Sequence, residues 1–170
     1  MTNIFRQANI QDAEAIAQLL INSWQVAYEN ILPKKLLLGL SLVEWVNGWK
    51  VHLANAKNEV YVLLEDQEII GVAEVCSFNE KHLSQYSNHA EISVFYLLPD
   101  KVGLGYGKKM MDEVLSIIQG KENDGVAIWV LEKNQRARSF YRKFGFKFMG
   151  NTKKFPKGNL NEILYIRKKK

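Results

Sequence analysis

Residues 97–108 read Leu97-Leu98-Pro99-Asp100-Lys101-Val102-Gly103-Leu104-Gly105-Tyr106-Gly107-Lys108, a glycine-rich turn between an apolar run and an amphipathic pattern. Glycines at such a turn let backbone amides approach a ligand closely. The helix that follows begins with unsatisfied N–H groups and a partial positive charge, which suit a phosphate group. The turn therefore predicts a phosphate site, to which Lys101, Lys108 and Lys109 could add charge. The alternative is a turn that only packs a strand tightly against a helix.

Two well-known phosphate loops do not fit this turn. A Walker A loop ending at Lys108 would need glycine at Val102 and Ser or Thr at Lys109. A dinucleotide-binding fingerprint that opened at Gly103 would need its third glycine at Lys108, and it usually lies at the start of its domain. Both classes of nucleotide site are therefore excluded.

The segments on either side of the turn predict a strand, a helix and a second strand. Ala90–Leu98 and Val126–Leu131 are nearly continuous apolar runs, the pattern of strands that are covered on both faces. Between them, Tyr106–Gln119 carries apolar side chains on one helical face and charged side chains on the other. Two strands joined by a helix indicate a parallel pair with a right-handed crossover.

The rest of the chain adds further helices and strands. Asn9 can cap a first helix, with Asp12 in a capping-box position. The remaining predicted elements are a strand at Ile4–Gln7, a largely helical stretch from Pro33 to Asn55 with a break near Gly39, a hairpin of Val60–Leu64 and Ile69–Val75, a loop at Lys81–Asn88, a helix at Asn134–Phe144, and strands near Phe146–Gly150 and Asn161–Arg167. The predicted fold class is a mixed α/β sheet with helices on both faces, and residues 1–170 are expected to form a single domain.

The composition is that of an ordinary globular protein. The 170 residues carry 23 basic and 18 acidic side chains, a net charge of +5, and 47% of them are hydrophobic, which argues against disorder. No apolar run approaches the ~20 residues that span a bilayer, and the first residues lack the pattern of a signal peptide. Cys76 has apolar neighbours, which predicts a buried thiol in a reducing compartment. We therefore expect a cytoplasmic protein with no membrane partner.

Positive charge is concentrated after Glu132, where Glu162 is the only further acidic residue. This basic C-terminal face could attract anionic partners, so a non-enzymatic module that binds nucleic acid is an alternative hypothesis. Aromatic side chains are not interleaved with the basic residues, and the sequence carries no RNA-binding signature, which argues against nucleic acid. A solvated face that aids solubility is the simpler interpretation.

The glycine turn and a later aromatic motif together resemble the GNAT family of N-acetyltransferases. Members carry Gln/Arg-x-x-Gly-x-Gly/Ala at the turn from the fourth strand into a helix, and the matching window is Val102-Gly103-Leu104-Gly105-Tyr106-Gly107. Both small residues are present, whereas Val102 replaces the Gln or Arg. A second signature, Asn with a downstream Phe-Tyr and Gly-Phe, matches Asn134-Gln135-Arg136-Ala137-Arg138-Ser139-Phe140-Tyr141-Arg142-Lys143-Phe144-Gly145-Phe146. The resemblance covers the whole chain, because the order of elements also matches.

The resemblance implies a GNAT-like acyl-CoA N-acyltransferase fold with about seven strands, helices on both faces and a splayed parallel central pair. It also implies acetyl transfer from acetyl-coenzyme A to a primary amine, with the pyrophosphate on the glycine turn and the pantetheine arm along the fourth strand. The cofactor-binding residues implied are Phe95, Tyr96, Leu97, Leu98, Gly103, Leu104, Gly105, Tyr106, Gly107, Lys108 and Asn134. Because backbone amides supply most of these contacts, Val102 is expected to reduce cofactor affinity without abolishing it.

Catalytic roles follow from the same resemblance. Tyr141 matches the tyrosine that often protonates the leaving sulfur, although its spacing equally suits a core aromatic residue. Glu91 begins the fourth strand, where members often carry a carboxylate that accepts the amine's proton through water. Glu74 and His89 are the second and third candidates for this base, and each of the three could be a plain strand residue.

The chain shows no nucleophile with a paired base, so direct transfer is favoured over a covalent acyl-enzyme. The amide of Leu97 or Leu98 would stabilise the oxyanion. Metal chemistry has no support in the spacing of the possible ligands, which are His52, His82, His89 and Cys76.

The acceptor is expected to meet the first two helices and the loop before Glu91. Four aromatic residues could form a wall for an amine by cation–π contact, or could be core residues at helical spacing: Trp24, Tyr28, Trp45 and Trp49. Polyamines, amino acids, antibiotics and peptide N-termini all stay open as acceptors. A homodimer is common among similar proteins, and a member that binds the cofactor but regulates instead of catalysing is a further alternative.

Overall fold

A computed structural model describes residues 3–55, 58–157 and 159–169, which form both helices and strands. The strands are β1 (Asn3–Gln7), β2 (Glu59–Glu65), β3 (Glu68–Ser77), β4 (His89–Leu97), β5 (Gly125–Leu131), β6 (Lys147–Lys154) and β7 (Asn161–Lys168). The α-helices are α1 (Ala13–Ala27), α2 (Lys34–Leu38), α3 (Leu42–Ala54), α4 (Tyr106–Gln119) and α5 (Gln135–Lys143). Among the described residues, no helix has the length and apolar character needed to cross a membrane. Lys170, the end of the basic C-terminal face, lies outside them.

The strands form a mixed seven-stranded sheet in the order β1-β2-β3-β4-β5-β7-β6. Antiparallel pairing joins β1 to β2, β2 to β3, β5 to β7 and β6 to β7. Strands β4 and β5 pair in parallel, with His89 opposite Gly125 and Glu91 opposite Ala127. The predicted mixed sheet and its central parallel pair are therefore confirmed, and α4, which connects these two strands, has the predicted bounds.

The chain divides into two compact units. The first comprises Met1–Val75 and Val94–Ser116, and the second comprises Cys76–Ser93 and Ile117–Lys170. The division passes through β4 and α4, so each of these elements contributes residues to both units. A single domain over residues 1–170 stays a prediction.

The core of the first unit lies between α1 and the β2–β3 hairpin. Ile16, Leu19 and Leu20 of α1 are at most 3% exposed and pack against valines of β2 and β3. Their spacing of three or four residues places them on one side of the helix. Burial of each such side chain contributes roughly 1.5–3 kcal/mol to folding, so this face fixes α1 against the hairpin.

A capping box precedes α1. Asn9 Oδ1 accepts a hydrogen bond from the Gln11 amide at 2.9 Å, and Asp12 Oδ2 accepts one from the Asn9 amide at 2.8 Å. Arg6 donates to both carboxylate oxygens of Asp12, at 2.8 and 2.9 Å. The capping box begins a 3-10 helix at Ile10–Asp12, and this helix leads directly into α1. The predicted roles of Asn9 and Asp12 are confirmed.

Two local breaks fall where the sequence predicts them. Gly39 ends α2, and Ser41 starts α3 by accepting a hydrogen bond from the Glu44 amide at 3.4 Å. The turn between β2 and β3 has φ of 45° at Asp66 and 75° at Gln67. Two consecutive left-handed residues are typical of a type I′ turn, whose twist matches that of the strands it joins.

The second unit packs side chains on both faces of β5 and β7. One face carries a buried cluster of Phe78, Leu83, Ala127, Leu164 and Ile166. On the other face Tyr165 is 1% exposed, and its hydroxyl accepts a hydrogen bond from Arg138 Nε at 3.3 Å. Because Arg138 belongs to α5, this helix lies against the face of β7 opposite the Phe78 cluster.

Two predictions about β3 and the segment after it need correction. Cys76 is exposed, so the expected buried thiol is wrong. Burial along β3 ends at Val75, and the apolar neighbours that suggested burial lie in the part of the strand that crosses the core. The segment predicted as the loop Lys81–Asn88 contains two short 3-10 turns within Lys81–Tyr86, which are separated by a kink at the buried residue Leu83.

Candidate active site

The glycine turn is an open loop that leads into α4. Gly103 and Gly105 both adopt φ of +92°, a left-handed conformation that glycine takes without strain. Chain neighbours aside, a Cβ at either position would meet no described atom within 4 Å, so the space in front of both glycines is open. The Lys109 amide donates to the Gly105 carbonyl at 3.1 Å, which is the first hydrogen bond of α4. The amides of residues 106–108 precede this bond, have no acceptor within the helix and could bind an anionic oxygen.

Glu65, at the end of β2, is bonded to residues on both sides of the glycine turn. Its Oε2 lies 2.5 Å from Lys101 Nζ, and its Oε1 accepts a hydrogen bond from the Tyr106 hydroxyl. The bonds from Lys101 and Tyr106 lower the pKa of Glu65, and the carboxylate in turn raises the pKa of Lys101 and of Tyr106. No motif in the sequence marks Glu65, because its only sequence signal is a position before a hairpin turn.

Two of the three lysines predicted to add charge at the turn, Lys101 and Lys108, are paired with carboxylates. Lys101 is paired with Glu65, and Lys108 is paired with Asp112 one helical turn further along α4, at 2.6 Å. Each cation is therefore offset by a neighbouring carboxylate. Attraction of an anion to this loop consequently depends mainly on backbone amides and on the N-terminus of α4.

Val102 stands where the family motif has Gln or Arg, and its backbone ends a 3-10 helix at Pro99–Lys101. The Val102 amide donates to the Pro99 carbonyl at 3.3 Å, and the residue itself is extended, with φ of −78° and ψ of 134°. A valine side chain offers no hydrogen-bond donor here. The turn thus keeps its shape while it lacks the polar group of the motif.

The end of β4 is attached to two neighbouring elements of the first unit. The Leu98 amide donates to the Ile70 carbonyl of β3 at 2.9 Å. The Ser23 hydroxyl of α1 lies 2.7 Å from the Leu97 carbonyl and 2.7 Å from the Leu19 carbonyl, so its single proton is shared between the two acceptors. Of the two amides predicted to stabilise an oxyanion, that of Leu98 is therefore engaged in the sheet, which leaves the amide of Leu97 as the candidate.

The aromatic residues predicted to meet the acceptor form a connected row in the first unit. Trp24 makes edge-to-face contacts with Tyr28 and Trp45, with ring centroids 5.3 and 5.4 Å apart. Tyr28 is 7% exposed, and its hydroxyl lies 2.7 Å from that of Tyr96 on β4. Tyr28 is thus a core residue with a polar tip, whereas Trp24 and Trp45 are half-buried.

Two of the three predicted bases lie in the second unit. Glu91 is half-buried and shares a face of the β4–β5 ladder with its partner Ala127, which belongs to the Phe78 cluster. His89 is 8% exposed; its Nδ1 has no hydrogen-bond partner among the described residues, and burial lowers its pKa. Glu74, the second-ranked candidate, lies in the first unit and is buried beside His52.

The second family signature forms the start and the buried face of α5. Asn134 caps the helix, because its Oδ1 accepts a hydrogen bond from the Ala137 amide at 3.1 Å. Tyr141 is 7% exposed, and its ring contacts those of Phe140 and Phe146, with centroids 5.7 and 6.0 Å apart. The buried ring supports the core role of Tyr141. The predicted role as a general acid would use its hydroxyl group.

Much of the basic C-terminal face is engaged in contacts within the second unit. Lys153 Nζ lies 2.6 Å from Glu80 and 4.3 Å from the ring centre of Trp129. Arg167 Nε donates to the Phe144 carbonyl at 3.0 Å, and Lys169 Nζ donates to the Lys121 carbonyl at 2.7 Å. These bonds give the basic residues structural roles. Across residues 3–55, 58–157 and 159–169, no group of three His, Cys, Asp or Glu side chains is placed to hold a metal ion.

Comparisons with known proteins identify the family and the fold. The model of the acetyltransferase (GNAT) family matches residues 15–146. The chain is 25% identical over 130 residues to the uncharacterized N-acetyltransferase YuaI of Bacillus subtilis, and the aligned region covers 76% of this chain and 72% of that protein. It is 30% identical over 115 residues to the uncharacterized N-acetyltransferase Mb2688 of Mycobacterium bovis, and that aligned region covers 68% of this chain and 69% of that protein. The fold matches a crystal structure of PaiA N-acetyltransferase from Thermoplasma acidophilum in complex with coenzyme A, with a TM-score of 0.75 and 22% identity over 96% of this chain and 98% of that one.

Proposed function

Because the chain belongs to the acetyltransferase (GNAT) family, we propose that it transfers an acetyl group from acetyl-coenzyme A to a primary amine of a small molecule or a peptide N-terminus. Acetyl-coenzyme A supplies an activated thioester when bound. Direct attack by the amine forms the C–N bond while the C–S bond breaks. The proposal takes residues 1–170 as one N-acetyltransferase domain that works in the cytoplasm.

The observation that carries the proposal is the open glycine turn. Gly103 and Gly105 hold left-handed conformations with free space in front of them, and α4 begins immediately afterwards. Amides at a helix N-terminus bind phosphate oxygens without help from a side chain. The turn therefore fits the pyrophosphate of coenzyme A even though Val102 replaces the polar residue of the motif.

The end of β4 would orient the thioester in this proposal. Phe95, Tyr96, Leu97 and Leu98 lead directly into the 3-10 helix and the glycine turn, so one continuous segment would hold both the pantetheine arm and the pyrophosphate. The Leu97 amide would donate a hydrogen bond to the oxyanion, where a fixed donor stabilises developing negative charge. Asn134 would contact the cofactor while it caps α5, because an amide side chain has several hydrogen-bonding groups.

Proton transfer is assigned to two residues of the second unit. Glu91 accepts, through water, the proton that the amine loses, and Tyr141 donates a proton to the leaving sulfur. The ladder face of Glu91 is that of the Phe78 cluster, and α5, which carries Tyr141, contacts the opposite face of β7.

A calorimetric titration with acetyl-coenzyme A tests the proposal before the acceptor is known. We expect saturable binding at one site, and we expect Gly105→Asp to weaken it about tenfold or more, because a carboxylate would repel the phosphates. The matched control is Gly150→Asp, since Gly150 is also exposed, has φ of +81° and faces open space. Absence of saturable binding by the parent protein, or equal weakening by the two variants, would contradict the proposal.

A further inference from the structure

Leu97, the last residue of β4, is held by its side chain, by its carbonyl and through the amide that follows it. Its side chain lies against Gly71 of β3, where a Cβ would be 2.7 Å from Leu97 Cδ2. Its carbonyl lies 2.7 Å from the Ser23 hydroxyl, and the following amide, that of Leu98, donates to the Ile70 carbonyl at 2.9 Å. All these residues belong to the first unit. Three separate contacts therefore define where the end of β4 lies.

The contact between Leu97 and Gly71 depends on the absence of a side chain at Gly71. This glycine is buried, and a Cβ there would also be 2.8 Å from Met110 Sδ and 3.4 Å from Leu63 Cβ. The contacts with Leu97 and Met110 would be shorter than ordinary van der Waals contact. Met110 is 0% exposed, so its side chain is enclosed by other atoms. Glycine at this position therefore lets Leu97 pack directly on β3.

The Ser23 hydroxyl is fixed between two carbonyl groups. Ser23 is 4% exposed, and its Oγ lies 2.7 Å from the Leu97 carbonyl and 2.7 Å from the Leu19 carbonyl, one helical turn earlier. A serine inside a helix commonly bonds the carbonyl four residues before it, so the contact with Leu19 is ordinary. The contact with Leu97 is additional, and it joins α1 to the end of β4. Because the hydroxyl is buried, water does not compete for this contact.

The peptide group between Leu97 and Leu98 is held at both ends. Its carbonyl contacts Ser23, and its N–H donates to the Ile70 carbonyl. Because a peptide group is planar, contacts at its two ends fix its orientation. Successive amides of an extended strand point to opposite edges of that strand. Since the Leu98 amide points to β3, the Leu97 amide points away from β3, and its direction follows from that of the fixed peptide group.

We propose that Ser23 is a positioning residue for acetyl transfer, because it holds the Leu97 amide in the direction of the thioester carbonyl oxygen. The inference rests on the proposed function, in which this amide stabilises the oxyanion. A donor stabilises an oxyanion best when its orientation is fixed beforehand, since no reorganisation is then needed during the reaction. Ser23 acts only through Leu97 and contacts neither coenzyme A nor the amine. Loss of its hydroxyl should therefore weaken the hydrogen bond to the thioester and leave the affinity for the cofactor unchanged.

Amide hydrogen exchange in the ligand-free protein tests the attachment of the strand. We expect the Leu98 amide to exchange about tenfold faster or more in Ser23→Ala, because its peptide group loses one of two contacts. The Ala8 amide, which donates to the Val60 carbonyl at 2.8 Å in the same unit, is the internal reference for overall stability. Ser23→Thr keeps a hydroxyl and should restore slow exchange at Leu98. Equal acceleration at Leu98 and Ala8 in Ser23→Ala, or none at either amide, would overturn the inference.

Carbon-13 magnetic resonance of the bound thioester tests the orientation of the amide without an identified amine. With acetyl-coenzyme A labelled at the carbonyl carbon, a hydrogen bond from Leu97 should move the signal downfield on binding, and Ser23→Ala should lose about half of this shift or more. Calorimetry should give affinities for acetyl-coenzyme A that agree within about twofold. The matched control is Ser41→Ala, which removes the hydroxyl that caps α3 in the same unit and should keep the full shift.

The outcomes separate this inference from the proposed function. An equal shift in the parent and in Ser23→Ala, or no shift in a parent that binds acetyl-coenzyme A, would overturn the role of Ser23 and leave the transferase proposal intact. An equal loss of the shift in Ser41→Ala would also overturn that role, since general loosening of the unit would then be the cause. A parent that does not bind acetyl-coenzyme A would contradict the proposed function and, with it, the role of Ser23.

Discussion

Glu65 and Lys101 form an ion pair at the base of the glycine turn, with 2.5 Å between Oε2 and Nζ. The second carboxylate oxygen accepts the Tyr106 hydroxyl, so one side chain of the hairpin is bonded on both sides of Gly103–Gly105. Glycines with free space around them are costly to order on binding. The contacts of Glu65 reduce that cost because they hold Lys101 and Tyr106, the residues on either side of the two glycines.

Replacement of Glu65 should therefore affect ligand binding more than folding. We expect Glu65→Gln to weaken binding of acetyl-coenzyme A about three- to tenfold, through loss of preorganisation, as measured by calorimetry. Glu68→Gln, at the other end of the same hairpin turn, is the control and should bind as the parent does. Unchanged affinity in Glu65→Gln would show that the glycine turn is ordered without this anchor.

The Arg6–Asp12 pair predicts a pH dependence of stability. The hydrogen bonds from Arg6 hold the pKa of Asp12 below its usual value. A carboxyl whose pKa is lower in the folded state stabilises the fold above its unfolded pKa, about 3.9, and this contribution is lost as pH falls through the folded pKa. The free energy of unfolding of Asp12→Asn should lie about 1–2 kcal/mol below that of the parent at pH 7, with the gap closing below about pH 4. Urea titrations across this range measure it; a gap that persists in acid would argue against the ion pair.

Tyr141 offers the sharpest test of the proposed acid. Tyr141→Phe keeps the ring contacts with Phe140 and Phe146 and removes only the hydroxyl. We expect kcat to fall about 100-fold or more, the scale of general acid catalysis, while the affinity for acetyl-coenzyme A stays unchanged. Steady-state kinetics with an active amine provide the measurement. Full activity in this variant would leave Tyr141 as a core aromatic residue only.

Glu91 can be tested through the pH dependence of kcat/KM. A base must be deprotonated to act, so the acid limb of the profile should flatten in Glu91→Gln, and the rate should fall about 100-fold. His89→Gln serves as the comparison, because His89 is the base candidate on the same strand and burial lowers its pKa. An unchanged profile in Glu91→Gln, together with a changed one in His89→Gln, would move the role to His89.

Replacement of glycine by alanine should have opposite effects on stability at Gly125 and at Gly48. A Cβ at Gly125 would lie 2.5 Å from the Arg167 carbonyl oxygen and 3.0 Å from the His89 ring, so Gly125→Ala should destabilise the protein by about 1–3 kcal/mol. Gly48 lies inside α3, where a Cβ would meet no described atom within 4 Å, so Gly48→Ala should stabilise it by about 0.5–1 kcal/mol. Thermal or urea unfolding distinguishes the two signs, and a stabilised Gly125→Ala would contradict the packing described for β5.

Local patterns predicted the fold well because they depend on neighbours in the chain. The bounds of α4 follow from its apolar period and its glycines, and the cap at Asn9 follows from Asp12 three residues later. The prediction that Cys76 is buried failed for a related reason. A run of apolar residues indicates a buried strand, but it does not show where the strand leaves the core.

Contacts between distant residues account for what the sequence did not predict. Glu65 meets residues 36 and 41 positions away, and His52 meets Glu74 across 22 positions. No periodicity or motif connects such partners, because the sheet and not the local chain brings them together. The sequence can predict a phosphate site at the glycine turn because the proposed contacts come from consecutive backbone amides. The contacts of Leu97 with α1 and β3 cannot be predicted in this way, since they join separate elements.

The two bonds between α1 and β4 have an evolutionary consequence. The Ser23 hydroxyl contacts the Leu97 carbonyl, and the Tyr28 hydroxyl meets that of Tyr96, so the last turns of α1 are attached to the strand at two points. Exposed positions between them, such as Val26, can change freely. One residue inserted or deleted there would rotate the helix by about 100° and break one attachment. Natural variants of this chain should therefore differ here by substitution and keep the length of the segment constant.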